Sequence, residues 1–171
     1  TLIHRAIIPG LQGGPHNHQT AAIAVALREA ARPSFKKYGQ QIVKNAKTLA
    51  EKLLKKDYQL VTGGTDNHLL LIDLTNKKII GADAEKALGK AGITVNKNTV
   101  HFDPRSPFSP SGIRLGTPAL TTRGMKEKEM VQIGEWIDQA IRNFENPKIL
   151  NKLSIEIREF CLKFPLPSDK K

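Results

Sequence analysis

The sequence predicts an α+β protein, in which a short, mostly antiparallel sheet carries helices on one face and follows the helical edge of a larger domain. Two alternating apolar stretches, 58–61 and 68–74, flank turn residues and predict an antiparallel hairpin. Longer stretches with apolar residues at three-and-four spacing predict helices. Pro33 interrupts the helical pattern, so we place the large-domain edge at 1–33 and the small domain at 34–171.

The first 33 residues combine glycine-rich turns with one apolar helix. Pro9-Gly10 and Gly13-Gly14-Pro15 are turn signals, and Pro15 suits the first position of a helix. Paired glycines before a helix N-terminus can admit a phosphate, and a tight connector is the alternative interpretation. Residues 21–31 are almost all small and aliphatic, which predicts a buried helix, with a second subunit as one source of cover.

The small domain is expected to alternate helices and short strands. Ser34 is the expected N-cap of its first helix, which continues to about Lys56. Gly92 is expected to end the helix after the hairpin in a left-handed conformation. The remaining expected elements are the helix after the hairpin at 82–90, strands at 93–95 and 113–116, a helix from Met125 to about Asn143 with 121–124 at its start, a helix from Pro147 and an extended tail at 164–167.

The net charge of +11 makes a basic RNA-binding or interaction module one alternative function. The lysines are spread along predicted helices, and one helix carries five of them on its polar side, Lys44, Lys47, Lys52, Lys55 and Lys56. No RNA-binding aromatic motif, zinc knuckle or arginine-rich run accompanies them. A solvated basic face or attraction of a polyanionic small substrate explains the charge better, and nonspecific RNA binding stays open.

Length and cysteine content narrow the class of protein. A chain of 171 residues suits one domain or one and a half, and no apolar run approaches the roughly 20 residues that cross a bilayer. The single cysteine, Cys161, excludes an intramolecular disulfide and is typical of a reducing compartment. The start at Thr1 has no initiator Met and no signal-peptide pattern. We expect a piece of a longer cytoplasmic protein, with mitochondrion and plastid as alternatives.

Residues 96–118 are the most distinctive stretch of the chain. Four prolines within them each remove a backbone donor, which predicts a long loop that runs into a short apolar piece. Five apolar residues are expected to anchor it, Val100, Phe102, Phe108, Ile113 and Leu115. Arg114 lies between two aliphatic residues, and its guanidinium could hold a carboxylate or phosphate through two hydrogen bonds. The alternative is a surface arginine paired with a carboxylate.

His16 and His18 flank Asn17 and form a pair that can bind a metal ion. No Cys, Asp or Glu lies nearby in sequence to complete such a site. We therefore predict no metal site, and expect these histidines to be polar first-turn residues or to line an adjacent pocket.

Five segments in order and spacing resemble the serine hydroxymethyltransferases, pyridoxal-phosphate enzymes of the aspartate aminotransferase-like fold (fold type I). The matching segments are residues 9–16, 61–68, 93–98, 106–108 and 111–119. Together they are highly specific, and the resemblance extends over essentially the whole chain. It implies the C-terminal part of such an enzyme, which comprises the end of the large cofactor domain and the complete small domain.

The resemblance implies conversion of serine and tetrahydrofolate into glycine and 5,10-methylenetetrahydrofolate by a homodimer or homotetramer with pyridoxal 5'-phosphate. It assigns the amino-acid carboxylate to Arg114, and the cofactor phosphate of the neighbouring subunit to Gly13 and Gly14. It assigns the folate ring to Asn98 and Ser106-Pro107-Phe108. An amide and a hydroxyl supply the donors and acceptors for a pterin edge, and an aromatic ring supplies an apolar wall.

The resemblance also implies which parts of the enzyme lie outside the chain. The Schiff-base lysine is expected just upstream of Thr1, and the aspartate and the aromatic residue that hold the cofactor ring are expected elsewhere. The chain alone is therefore expected to be inactive. His101 and Ser109-Pro110 occupy loop positions where the family often has other residues.

Overall fold

The computed structural model describes residues 1–169 and divides the chain into two compact units, Thr1–Lys37 and Tyr38 onward. The division falls shortly after the boundary that the sequence suggested at 33/34. The reason is that the helix Pro33–Leu54 begins in the first unit and continues into the second. The assignment of the first segment to a larger domain stays a prediction.

The first unit contains helices α1 (Leu2–Arg5) and α2 (Asn17–Ala30), joined by an irregular π-type turn over Ala6–Leu11. His16 is the N-cap of α2, so Pro15 precedes the helix and does not begin it as expected. All residues of α2 are exposed, so the expected burial is not found among the described residues, and cover by a second subunit stays a prediction. The described residues of this unit include no other long helix or strand that could cover the apolar side chains.

Helix α3 (Pro33–Leu54) is long and amphipathic. Pro33 occupies its first turn, where a missing N–H costs no hydrogen bond. Ser34 therefore lies inside the helix and is not its N-cap, contrary to expectation. The predicted apolar face is buried in the C-terminal half of the helix, at Ala46, Leu49, Ala50 and Leu53.

Four strands of the second unit form an antiparallel sheet in the order β1-β2-β4-β3. They are β1 (Gln59–Leu60), β2 (Leu69–Asp73), β3 (Asn96–Asn98) and β4 (Gly112–Gly116). The predicted hairpin of β1 and β2 and the position of β4 beside it are confirmed. Because β4 lies inside the sheet, residues 96–118 do not form one long loop, and the loop is confined to 99–111.

The third strand is displaced from its predicted position at 93–95. Those residues lie outside the sheet, and β3 begins at Asn96, opposite Arg114. Val95 is buried, which explains the strand-like pattern of the preceding residues. Strand formation depends on a partner as well as on side-chain type, and on the side of β4 away from β2 only residues 96–98 pair with it.

The two faces of the sheet differ in cover. Leu70, Ile72 and Ile113 are fully buried in the core shared with the helices. Leu71 and Arg114 alternate with them along β2 and β4 and therefore lie on the opposite face, where Arg114 is exposed. The predicted arrangement, helices on one face of a small sheet, is confirmed.

Further helices of the described residues are α4 (Gly81–Lys90), α5 (Pro118–Thr122), α6 (Glu127–Arg142) and α7 (Pro147–Leu162), with 3₁₀ turns at Thr75–Lys77 and Pro167–Asp169. The predicted start of α7 at Pro147 is confirmed. The prediction of an extended tail at 164–167 is wrong at Pro167, because this proline begins a 3₁₀ turn. Within residues 1–169, no helix is long and apolar enough to cross a membrane.

Two glycines with positive φ set the helix boundaries. Gly92 (φ 88°) follows α4, as predicted. Gly124 (φ 94°) separates α5 from α6. The helix predicted from Met125 to about Asn143 is α6, and the short helix α5 before it was not predicted. A left-handed residue cannot continue a right-handed helix, which explains the break.

Helix α7 is joined to the rest of the core through Trp136 and Arg123. The indole Nε1 of Trp136 donates to Glu156 Oε1 at 2.9 Å, and its ring packs edge to face on Phe160 at 5.0 Å. Arg123 donates to the carbonyls of Cys161 and Phe164 at 2.8 and 2.7 Å. Cys161 lies in the last turn of α7 and Phe164 just beyond it, where carbonyls have no N–H partner within the helix.

Candidate functional site

Arg114 lies in the middle of β4 on the uncovered face of the sheet. Its cross-strand neighbours are Leu71 on β2 and Asn96 on β3. The side chain is exposed, and its guanidinium makes no hydrogen bond or ion pair with any residue in the range 1–169. The alternative of an arginine paired with a surface carboxylate is therefore not observed. All five N–H donors are free to bind an external anion.

An open concavity of about 480 Å³ surrounds this arginine. His68, Thr94, Asn96 and Gly116 line it together with Arg114. A Cβ at position 116 would lie 3.0 Å from the carbonyl oxygen of His68, so glycine keeps this edge of the concavity open. The arrangement can bind a small anionic ligand against the sheet.

Loop 99–111 joins β3 to β4 and carries most of the residues assigned to folate. Phe102 is 88% exposed and Phe108 is 85% exposed, so the expectation that they anchor the loop in the core is wrong. The other expected anchors, Val100, Ile113 and Leu115, are partly or fully buried. The two phenylalanines project from a loop that polar contacts hold in place.

The side chains assigned to folate keep hydrogen-bonding capacity. Asn98 Nδ2 donates to the carbonyl of Thr99 at 2.7 Å, and Ser106 Oγ accepts the N–H of Phe108 at 3.3 Å. Asn98 Oδ1 and the Ser106 hydroxyl proton have no partner within the described residues. Pro107 and Phe108, which follow Ser106 in sequence, are also exposed. Lys97 Nζ donates to the carbonyl of Phe108 at 2.9 Å, which links this end of the loop to β3.

Asp103 organises the loop, although its sequence position suggested no role. Its Oδ2 accepts the N–H groups of Val100 and Ser111 at 3.2 and 2.8 Å. Its Oδ1 accepts the N–H of Arg105 at 2.9 Å and the hydroxyl of Ser111 at 2.7 Å. The Ser111 N–H above all, with the other donors, holds the pKa of Asp103 well below its ordinary value. The Asp-Pro dipeptide at 103–104, a common turn signal, could have indicated it.

Two glycines beneath the loop are required by close packing. A Cβ on Gly112 would lie 2.6 Å from Val100 Cγ1 and 2.7 Å from the Ile72 carbonyl oxygen. A Cβ on Gly81 would lie 2.1 Å from the Gly112 carbonyl oxygen. The Gly81 N–H donates to the Pro110 carbonyl at 2.7 Å. The start of α4 therefore contacts the junction of the loop with β4 through backbone alone.

Gly13 and Gly14 belong to the first unit, whereas the other predicted site residues belong to the second. Both are exposed, and no other atom lies within 4 Å of the position that a Cβ would take. Their backbone is accessible to a ligand, which suits either a phosphate contact or a simple connector.

His16 and His18 contact each other edge to face, with ring centroids 5.7 Å apart. The part of the chain that the structure describes contains no group of three or more His, Cys, Asp or Glu side chains placed to hold a metal ion. The pair thus has no third ligand of these types there.

Comparison with known proteins identifies the family. The family model for serine hydroxymethyltransferase matches residues 1–137. The chain belongs to the serine hydroxymethyltransferase family. It is 55% identical over 165 residues to the serine hydroxymethyltransferase of Desulfotalea psychrophila, 56% over 166 residues to that of Methanosarcina barkeri, and 53% over 167 residues to that of Methanospirillum hungatei.

These alignments cover 96–98% of this chain but only 39–40% of the relatives. The chain therefore spans about two-fifths of the length of the curated serine hydroxymethyltransferases that it matches. The residues present fit the groups that this family implies. An unpaired guanidinium suits a carboxylate, and open glycine backbone suits a phosphate. An exposed aromatic ring on the loop, an amide on β3 and a loop hydroxyl supply the kinds of group that suit a folate ring.

A buried polar network, which the sequence analysis missed, supports the arginine strand of this serine hydroxymethyltransferase segment. Asn45 on α3 is fully buried, and its Nδ2 donates to Thr121 Oγ1 and to the Met125 carbonyl at 2.9 Å each. Its Oδ1 accepts from Gln41 Nε2 at 2.9 Å. The Thr117 hydroxyl donates to a carbonyl of α3 at 2.9 Å. A polar residue on the apolar face of a predicted helix was the available signal.

The basic face of α3 is only partly solvated. Lys52 and Lys56 are partly buried and both form ion pairs with Glu135 on α6. The Lys52 hydrogen bond is the main cause that lowers the pKa of Glu135. The expectation of a fully solvated face is thus wrong for two of its five lysines, and Lys44, Lys47 and Lys55 are exposed. Less positive charge is free for a polyanion than the sequence suggested.

Proposed function

We propose that the chain supplies the amino-acid carboxylate site and the folate-binding loop of a serine hydroxymethyltransferase, which interconverts serine and tetrahydrofolate with glycine and 5,10-methylenetetrahydrofolate. The observation that carries the proposal is the unpaired guanidinium of Arg114, beside Asn96 and next to loop 99–111, in a member of this family. We further infer a cytoplasmic enzyme, since one cysteine is typical of a reducing compartment.

Arg114 acts by binding and orienting the amino acid. Its planar fork forms two parallel N–H···O bonds with a carboxylate, and this fixes the substrate before reaction. Pyridoxal phosphate, when bound, supplies the electron sink for the bond that breaks in serine. The backbone of Gly13 and Gly14 would bind the phosphate of that cofactor in a neighbouring subunit. The proposal therefore includes a homodimer or homotetramer.

The folate side of the site is formed by Asn98 and Ser106-Pro107-Phe108. The Asn98 amide oxygen accepts from the pterin edge, and the Ser106 hydroxyl donates to it. Phe108 covers the ring and keeps water away from it. The exposed positions of these side chains support the proposal, because a large planar ligand needs uncovered side chains to contact.

The test replaces Arg114 in the complete enzyme. Arg114→Ala is expected to lower kcat/KM for serine by about 100-fold or more, because two charge-assisted hydrogen bonds are lost. Arg114→Lys is expected to retain only part of the wild-type kcat/KM, since an ammonium group cannot form the two parallel hydrogen bonds with a carboxylate. Steady-state kinetics with tetrahydrofolate in excess measure the effect.

Two controls isolate the carboxylate contact. Arg158→Ala removes an exposed arginine on α7 that has no partner within residues 1–169, and should leave the kinetics unchanged. Ethanolamine, which is serine without its carboxylate, should compete with serine equally weakly for wild type and for Arg114→Ala. The assignment of the amino-acid carboxylate to Arg114 would be wrong if Arg114→Ala left the serine kinetics unchanged. It would also be wrong if this substitution weakened the binding of ethanolamine as much as the binding of serine.

A further inference from the structure

We propose that Asp103 is a positioning residue that fixes loop 99–111 and thereby sets where Ser106-Pro107-Phe108 lie relative to Arg114. The inference about folate rests on the proposed function, whereas the inference about the loop depends only on contacts within the chain.

One carboxylate joins the beginning, the middle and the end of this loop. Val100 follows β3 closely, Arg105 lies in the middle of the loop, and Ser111 directly precedes β4. All three donate to Asp103, and Ser111 does so through both its N–H and its hydroxyl. Four bonds on two oxygens use most of the acceptor capacity of an ionised carboxyl group.

The loop has few other contacts that could hold it. Its two phenylalanines are exposed and contribute no core packing, and its three prolines have no N–H to donate. Other bonds near residues 106–108 are the Lys97 contact to the Phe108 carbonyl and the local turn bonds of Ser106. Next to β4, the Gly81 N–H also holds the Pro110 carbonyl and the Leu74 N–H holds the Ser111 carbonyl. Removal of the Asp103 acceptors would therefore loosen mainly residues 101–108.

Arg114 depends much less on this carboxylate. It is held in β4 by pairing with β2 on one side and β3 on the other. Loss of the Asp103 bonds should move the folate residues and leave the amino-acid site nearly in place. This separation gives a readout that a general loss of stability would not produce.

The matched test is Asp103→Asn, which keeps the size of the side chain and loses two of its acceptor sites. In the 171-residue chain, the amides of Arg105 and Ser111 are expected to exchange hydrogen at least about tenfold faster than in wild type. Amides of β4 that pair with β2 should keep their exchange rates. The control is Asp83→Asn, which removes an exposed carboxylate in the first turn of α4. It should change the exchange rates of neither group of amides.

In the complete enzyme, Asp103→Asn should raise KM for tetrahydrofolate by about tenfold or more, and KM for serine by less than about threefold. Unchanged exchange at Arg105 and Ser111 would overturn the proposal, and so would faster exchange with no change in KM for tetrahydrofolate. If the wild-type enzyme lacked the activity, the proposed function would fail, while the exchange result would still decide the role of Asp103 in the loop.

A second variant covers the case in which Asp103→Asn does not fold. Ser111→Ala removes the hydroxyl donor and leaves the other three bonds to Asp103. It should make the Arg105 amide exchange measurably faster than in wild type, because one of the bonds that hold the Asp103 carboxylate in place is lost. An Arg105 amide as well protected as in wild type would contradict the proposed role.

Discussion

Asn45 and Asp103 support β4 near its two ends. Asn45 binds the segment that follows the strand, and Asp103 binds the residue that precedes it. Both use several acceptors or donors in one side chain, so each joins parts of the chain that are far apart in sequence. Arg114 itself is free of such bonds, which leaves its guanidinium available to a ligand.

We expect Asn45→Ala to lower the free energy of unfolding by about 2–3 kcal/mol, because it leaves the buried Met125 carbonyl without its donor and removes two further bonds. Urea denaturation measures the change. Asn151→Ala on the exposed side of α7 is the control, and should stay within about 0.5 kcal/mol of wild type. Equal urea midpoints for the two variants would contradict the importance of the network.

The stabilisation from Asp103 should depend on pH. Its pKa in the folded chain lies below the unfolded value of about 3.9, so the folded state favours the ionised form. The contribution is therefore full above about pH 5 and is lost as the pH falls below about 4. We expect the urea midpoint of wild type to exceed that of Asp103→Asn at pH 6, and the gap to narrow steadily as the pH falls from about 4 to about 2.5. A gap that stays constant over this range would show that ionised Asp103 has no such role.

At the scale of elements, α4 contacts the sheet through the backbone at its start and through a side chain one turn later. Gly81 opens α4 against the carbonyl of Gly112, and the Lys97 N–H on β3 donates to Glu85 Oε1 on α4 at 2.9 Å. The helix thus packs beside both strands that flank loop 99–111. A side chain at position 81 would separate these elements.

Two glycines of α4 give a matched pair of variants. Gly81→Ala places a Cβ against backbone that cannot move away, and we expect it to lower the free energy of unfolding by about 1–3 kcal/mol or more. Gly89→Ala, at an exposed position with no atom within 4 Å, should raise it by about 0.5–1 kcal/mol through helix propensity. Thermal unfolding of both variants measures whether their stabilities change in opposite directions. A change in the same direction for both would contradict the packing argument.

For the whole molecule, the two units differ in burial. Every residue of 1–37 is exposed, whereas the second unit contains an apolar core that includes Trp136. Helices of this length depend on packing for most of their stability. The exposed Ile23, Val25 and Leu27 of α2 are apolar surface that a further partner would bury.

We expect amides of α2 to exchange hydrogen within about 100-fold of the free-peptide rate, because no packing slows their opening. Amides in the C-terminal half of α3 and in β2 should exchange far more slowly. Mass spectrometry of peptides from both regions, at low protein concentration, provides the measurement. Strong protection of α2 that disappears on dilution would show that a second copy covers it, and protection independent of concentration would contradict the prediction.

The parts of the fold that follow from local pattern were predictable. The β1–β2 hairpin, the stop at Gly92 and the start of α7 at Pro147 all depend on residues close in sequence. The third strand was misplaced because pairing with β4 decides where β3 lies. Phe102 and Phe108 were expected to be buried because they are apolar. Hydrogen bonds to Asp103 hold their loop instead, and both rings are exposed.

The sequence by itself determined the family, the α+β class and the candidate role of Arg114, because short motifs in a fixed order are carried by residue identity and spacing. Only the tertiary structure decided that Arg114 is unpaired and that Asp103 and Asn45 support its surroundings. Hydrogen bonds between distant residues depend on distances and angles in space. A one-dimensional pattern does not contain these quantities.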